Sequence, residues 1–97
     1  MQLSQQNILK IRNYFRDKPV FKAYLFGSQI RNEAKSDSDI DILVELDYSQ
    51  QIGLKFIKMQ LDLQDILKAR VDLLSDKAVS KYIRHFIEND KVLIYEK

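Results

Sequence analysis

Ninety-seven residues with a net charge of +2, no cysteine and one proline suffice for a single small domain with one core. The lack of cysteine excludes a disulfide framework and a thiolate zinc site, and the near-balanced charge argues against general nucleic-acid binding, DNA included. No apolar run reaches membrane-spanning length and no secretory h-region opens the chain, so a soluble cytoplasmic protein is expected. A domain of this size has little room for both a catalytic centre and a separate acceptor-recognition domain. An enzyme built on it would find its acceptor in a partner.

In chain order, Ser4 to Arg16 reads as a helix with Ile8, Ile11 and Phe15 on one stripe, Ser4 as N-cap and Pro19 closing it. Val20 to Phe26 reads as a strand that runs into Gly27-Ser28. Ser28 to Ala34 is expected to form a short helix, and Lys35 to Ser38 a polar loop. Asp39 to Leu46 is the second strand, apolar almost throughout after its opening carboxylates, as a buried strand would be. A loop over Asp47 to Gln51 leads into a helix from Ile52 to Leu67. Arg70 to Leu74 is a short strand. Val79 to Glu88 is a final amphipathic helix, with Val79, Tyr82, Ile83, Phe86 and Ile87 expected inward. Asn89-Asp90 reads as a turn and Lys91 to Tyr95 as a closing strand. The order αβαβαβαβ, with no repeat or linker, describes one domain over residues 1–97, a sheet with helices packed on it. The long helix between the second and third strands favours a right-handed parallel crossover. The link between the first two strands is too short to settle their relative direction.

The helix from Ile52 to Leu67 carries two apolar stripes. Ile52, Phe56, Met59, Leu63 and Leu67 fall on one side, and Leu54, Ile57 and Leu61 on nearly the opposite one. A second apolar face calls for either further cover within the chain or a partner, in a homo- or hetero-oligomer.

The chemistry concentrates between residues 27 and 44. Gly27-Ser28 is followed, after a ten-residue spacer, by Asp39-Ile40-Asp41. Alternate strand residues share a face, so Asp39 and Asp41 project together while Ile40, Ile42 and Val44 point into a core. Asp37 alternates with Asp39 as well and offers a competing register, but Ile40 and Ile42 bracket Asp41 within the strand. Two carboxylates on one face suit Mg2+, which prefers carboxylate and phosphate oxygens, and a pair of such ions is a recurrent device for phosphoryl and nucleotidyl transfer. Gly27 lets backbone approach a phosphate, and Ser28 opens a helix whose free N–H groups attract anions. Arg31, one turn along, could pair with phosphate oxygens. Asp72, within Val71-Asp72-Leu73 on a neighbouring strand, is the candidate third carboxylate. His85 falls on the polar side of the last helix, with no second His or Cys at ligand spacing, and no Gly-x-x-x-x-Gly-Lys loop of a P-loop NTPase is present.

Gly27-Ser28, the spacer and Asp39-Ile40-Asp41 together resemble the motif of the DNA polymerase β-like nucleotidyltransferases. The short length and the run Ser38-Asp39-Ile40-Asp41-Ile42-Leu43-Val44 resemble their minimal nucleotidyltransferase (MNT) branch, over essentially the whole chain. The resemblance implies an α+β nucleotidyltransferase fold with a mixed sheet whose first two strands are antiparallel. It assigns Asp39 and Asp41 to the metal-binding pair, Asp72 to the third carboxylate, Gly27 and Ser28 to the triphosphate, and Arg31 to an arginine frequent in the branch. Asn32 departs from the glycine of many relatives. The resemblance further implies an antitoxin that moves AMP from ATP to a tyrosine of a HEPN-type toxin, with two Mg2+ ions. A toxin-binding antitoxin without catalysis, and a nucleotidyltransferase for a small molecule or RNA, are the alternatives.

Overall fold

The computed structural model describes residues 3–27, 30 and 39–97. Ser4 caps the first helix, its Oγ accepting from the Asn7 N–H at 3.1 Å, and α1 (Gln5–Phe15) follows. Ile8, Ile11 and Phe15, spaced at three and four residues, are its buried face. Pro19 then leads into β1 (Val20–Phe26). The expected helix over 28–34 and loop over 35–38 lie outside the described residues, apart from Ile30, which is helical and donates its N–H to the Gly27 carbonyl at 3.1 Å.

β2 (Ile40–Leu46) runs antiparallel to β1, the direction that the family likeness implied. The helix α2 (Lys55–Leu67) carries the chain over to β3 (Val71–Ser75), which lies parallel to β2 as a crossover of that length favours. A short 3-10 turn (Asp76–Ala78) and α3 (Lys81–Asp90) lead to β4 (Val92–Glu96), antiparallel to β1. The result is an α+β fold with a four-stranded mixed sheet in the order β3-β2-β1-β4.

One face of the sheet is closed by α1 and α2. Ala23 and Leu25 of β1 and Ile40, Ile42 and Val44 of β2 join Ile11, Phe15, Met59 and Leu63 in one core. Each such aliphatic side chain withdrawn from water contributes about 1.5–3 kcal/mol. Helix side chains also cover both open sheet edges. Gln64 Oε1 accepts from the Val71 N–H at 3.2 Å and Gln60 Oε1 from the Leu73 N–H at 3.1 Å, occupying donors on the outer side of β3. At the other edge Arg12 Nε donates to the Ile94 carbonyl of β4 at 2.6 Å. Edge groups satisfied in this way are withheld from strand pairing with another chain.

Three expectations need correction. The second helix starts at Lys55 rather than Ile52, after Gly53 at φ +42°. The last helix runs on through Asn89 and Asp90, which form no turn, and begins at Lys81, where Ser80 Oγ accepts from the Ile83 N–H at 3.4 Å. Its apolar stripe is not inward: Ile87 is its one buried residue, while Tyr82, Ile83 and Phe86 are exposed. Helical periodicity identifies a stripe but not what covers it. The face of the sheet that α3 approaches is mixed, with Leu43 buried on it but Asp41, Glu45 and Asp72 beside it, and so offers no continuous apolar layer to the stripe. Leu54, just before α2, and Ile57 and Leu61 on it also stay exposed.

Candidate active site

The site grows out of strand register. Asp41 stands opposite Phe26 of β1 and opposite Asp72 of β3. Residues facing each other across a ladder project to the same side, so the Asp41 and Asp72 carboxylates emerge together from the face away from the main core. Asp39, two residues earlier, shares that side by strand alternation. Asp41 and Asp72 therefore lie on one face of two adjacent strands, with Asp39 just before β2. Asp41 and Asp39 are partly covered and Asp72 is exposed.

Gly27 closes the opposite wall. It sits at φ +80°, in the left-handed region that glycine tolerates, and a Cβ placed on it would collide with the Asp41 carboxylate. Glycine at this position lets the turn after β1 come right up to Asp41, leaving backbone rather than side chain beside the carboxylate. Ser28, Arg31 and Asp37 lie outside the described residues.

Arg70 was missed by the sequence reading. Its Nε lies 3.1 Å from Asp39 Oδ1, an oxygen screened from solvent and without a hydrogen bond, so the contact is an ion pair lacking hydrogen-bond alignment. The Arg70 carbonyl accepts from the Ile40 N–H at 2.9 Å, which ties the approach to β3 to the start of β2. The signal was available: Arg70 precedes Asp72 by two, the same alternation that links Asp39 to Asp41.

Around Gly27 and Asp41 lies an open cavity of about 250 Å³, lined also by Phe26 of β1 and by Ile83, Phe86, Ile87 and Asp90 of α3. Deeper on the same face, Tyr24 donates to Glu45 Oε2 at 2.8 Å, and Lys91 Nζ stands 4.2 Å from the centre of its ring. Burial and the Glu45 carboxylate push the Tyr24 phenol up to about 12. This cluster ties β1, β2 and the end of α3 together beneath the site. His85 is exposed on α3, as its polar position suggested.

The donor set fits Mg2+ in kind, being all carboxylate and on one face. Among the described residues no three acidic or histidine side chains already converge into a closed cage.

A mixed sheet with this order, carrying a Gly turn against alternating carboxylates, is the architecture of a nucleotidyltransferase domain. The chain belongs to the polymerase β nucleotidyltransferase family, whose model matches residues 9–97. The protein adenylyltransferase MntA of Thermococcus cleftensis is 37% identical over 70 residues, which cover 72% of this chain and 70% of that one. A Methanocaldococcus jannaschii chain provisionally named as a protein adenylyltransferase is 40% identical over 72 residues, covering 72% and 71%. Among solved structures, a chain of the complex between tri-AMPylated Shewanella oneidensis HEPN toxin and MNT antitoxin superposes with TM-score 0.73 at 25% identity, covering 100% of this chain and 74% of that one. A toxin–antitoxin structure with AMP-PNP superposes with TM-score 0.77 at 23% identity, covering 98% and 75%, and has the same fold.

Proposed function

We propose that this chain is a Mg2+-dependent protein adenylyltransferase, the antitoxin of a HEPN–MNT pair, which moves AMP from ATP to a tyrosine hydroxyl of the toxin. The observation that carries the reading is the register of Asp41 against Asp72, with Asp39 on the same face and Gly27 against Asp41. The names of the relatives, protein adenylyltransferase and MNT antitoxin, support the acceptor class.

In this reading Gly27 and Ser28 receive the triphosphate on backbone N–H groups, and Arg31 adds a charged contact. Asp39, Asp41 and Asp72 would hold two Mg2+ ions, which when bound would supply charge neutralisation to the transfer. The tyrosine oxygen attacks the α-phosphorus, the new O–P bond forms as the bond to pyrophosphate breaks, and pyrophosphate leaves with that electron pair. Asp72, the most exposed of the three, helps take up the hydroxyl proton. Positioning and preorganised charge do most of the work. Arg70, ion-paired with Asp39, would help to position that carboxylate.

Incubating the chain with ATP, Mg2+ and its HEPN-type partner and weighing the intact partner tests this directly. Addition of AMP to the partner supports the enzyme. Neutralisation of the toxin with no change in its mass would point instead to an antitoxin that acts by binding alone.

A further inference from the structure

The nucleotidyl-transfer reading accounts for the carboxylates and the Gly turn, but not for the apolar wall facing them. On α3, Ile83 and Phe86 are 54% and 70% exposed, an unusual state for two large apolar side chains one turn apart. They are not scattered: both line the cavity that begins at Gly27 and Asp41. Phe26, the cross-strand neighbour of Asp41, supplies a second aromatic ring to the same cavity. Asp90 supplies its polar end.

We infer that this cavity is the base subsite, in which the flat ring of the nucleoside triphosphate lies against Ile83 and Phe86 while its phosphates lie at Gly27. The inference rests on the nucleotidyl-transfer reading and goes beyond it by assigning α3 to the nucleotide rather than to the acceptor. Three observations choose the occupant. The sheet order puts the cavity over β1 and β2, on the side of Gly27, whereas Asp72 stands on β3 and is not among its lining residues. The acceptor hydroxyl approaches where Asp72 can reach it, so the cavity lies away from the acceptor and is left to the nucleotide. A volume of about 250 Å³ is below the size of cavities that take whole drug-sized ligands, and suits one ring system with its polar tail outside. An apolar, aromatic lining with a carboxylate at its end matches a base, which offers two π-faces and an exocyclic or ring N–H donor at its edge.

The test compares ATP with inorganic tripolyphosphate, which shares the phosphates and lacks the base. Binding of each to the full chain is measured by calorimetry with Mg2+, for wild type, Phe86→Ala and Phe86→Trp. Removing the ring is expected to weaken ATP about tenfold or more, the usual worth of one base–aromatic stack. Tripolyphosphate binding stays unchanged, and Phe86→Trp restores ATP. Equal weakening of both ligands, or no weakening of ATP, overturns the inference, as does an effect confined to the KM of the acceptor protein. Wild type that binds tripolyphosphate but gains nothing from the base also overturns it, and leaves the transfer reading standing. Wild type that binds neither sinks both. Phe86 is mostly exposed, so the alanine variant is expected to fold, which its melting curve verifies.

Discussion

Asp41 and Asp72 face each other across the parallel ladder between β2 and β3, two like charges in one cross-strand pair. Such a pair is a liability in a sheet unless something positive comes between its members. In the proposed reading this is the pair that shares the metal ions.

Asp72→Asn is accordingly expected to act in opposite directions with and without metal. In EDTA the variant melts higher than wild type, by a margin equivalent to roughly 0.2–1 kcal/mol. In Mg2+ with ATP, wild type gains stability by mass action and the variant gains less. Differential scanning calorimetry in the two buffers checks both signs. A variant less stable than wild type in EDTA would show that Asp72 serves the fold rather than the ion.

Gly27→Ala should damage stability and activity together. The φ of +80° costs a non-glycine residue roughly 1–2 kcal/mol, and the added Cβ meets the Asp41 carboxylate. Relief of that collision displaces Asp41, so transfer activity should fall further than the loss of folded protein explains. Chemical denaturation and turnover on the same preparation separate the two effects.

Much of this was legible in the sequence, for a definite reason. Period-two alternation around Asp39 and Asp41, with Ile40, Ile42 and Val44 between and after them, leaves one arrangement in which the apolar side is buried. The antiparallel start of the sheet came from family likeness; Asp72 was named on a neighbouring strand by both the residues and the likeness, but its place directly opposite Asp41 by neither, because parallel register is set by how α2 packs. The inward stripe expected on α3 failed because periodicity does not say what lies opposite. Helical periodicity likewise does not mark Gln60 and Gln64, which satisfy donors at the β3 edge.

The two stripes of α2 give the sharpest local test of that reasoning. Leu61 and Leu63 are two residues apart, at 55% and 0% exposure. Leu63→Ala is expected to cost about 2–5 kcal/mol through the cavity it leaves. Leu61→Ala should stay within about 0.5 kcal/mol in the isolated chain. Urea denaturation of both variants measures the difference.

Acid and alkali should each loosen the contact between α1 and α2. Tyr14 donates its hydroxyl to Asp62 Oδ2 at 2.6 Å, and that bond, aided by Lys58, holds the Asp62 carboxyl below its usual range. Burial first and Asp62 second hold the Tyr14 phenol well above its usual value. The carboxylate's contribution is therefore present above pH ~4 and lost as pH falls through the depressed value, and the phenol's is present below pH ~10 and lost as pH rises through the raised one. In Tyr14→Phe, the titration midpoint of Asp62 followed by carbon NMR should return toward that of an ordinary aspartate. An unmoved midpoint would show that Lys58 alone sets it.

The central claim is that the carboxylates of β2 perform transfer rather than shape the fold, and AMP transfer by Asp41→Asn tests it most directly. The variant is incubated with labelled ATP, Mg2+ and the HEPN-type partner, and its melting temperature is recorded beside the label incorporated. The account predicts a fold that melts near wild type and a transfer rate lower by roughly a hundredfold or more. Transfer at the wild-type rate by a folded Asp41→Asn protein would contradict it.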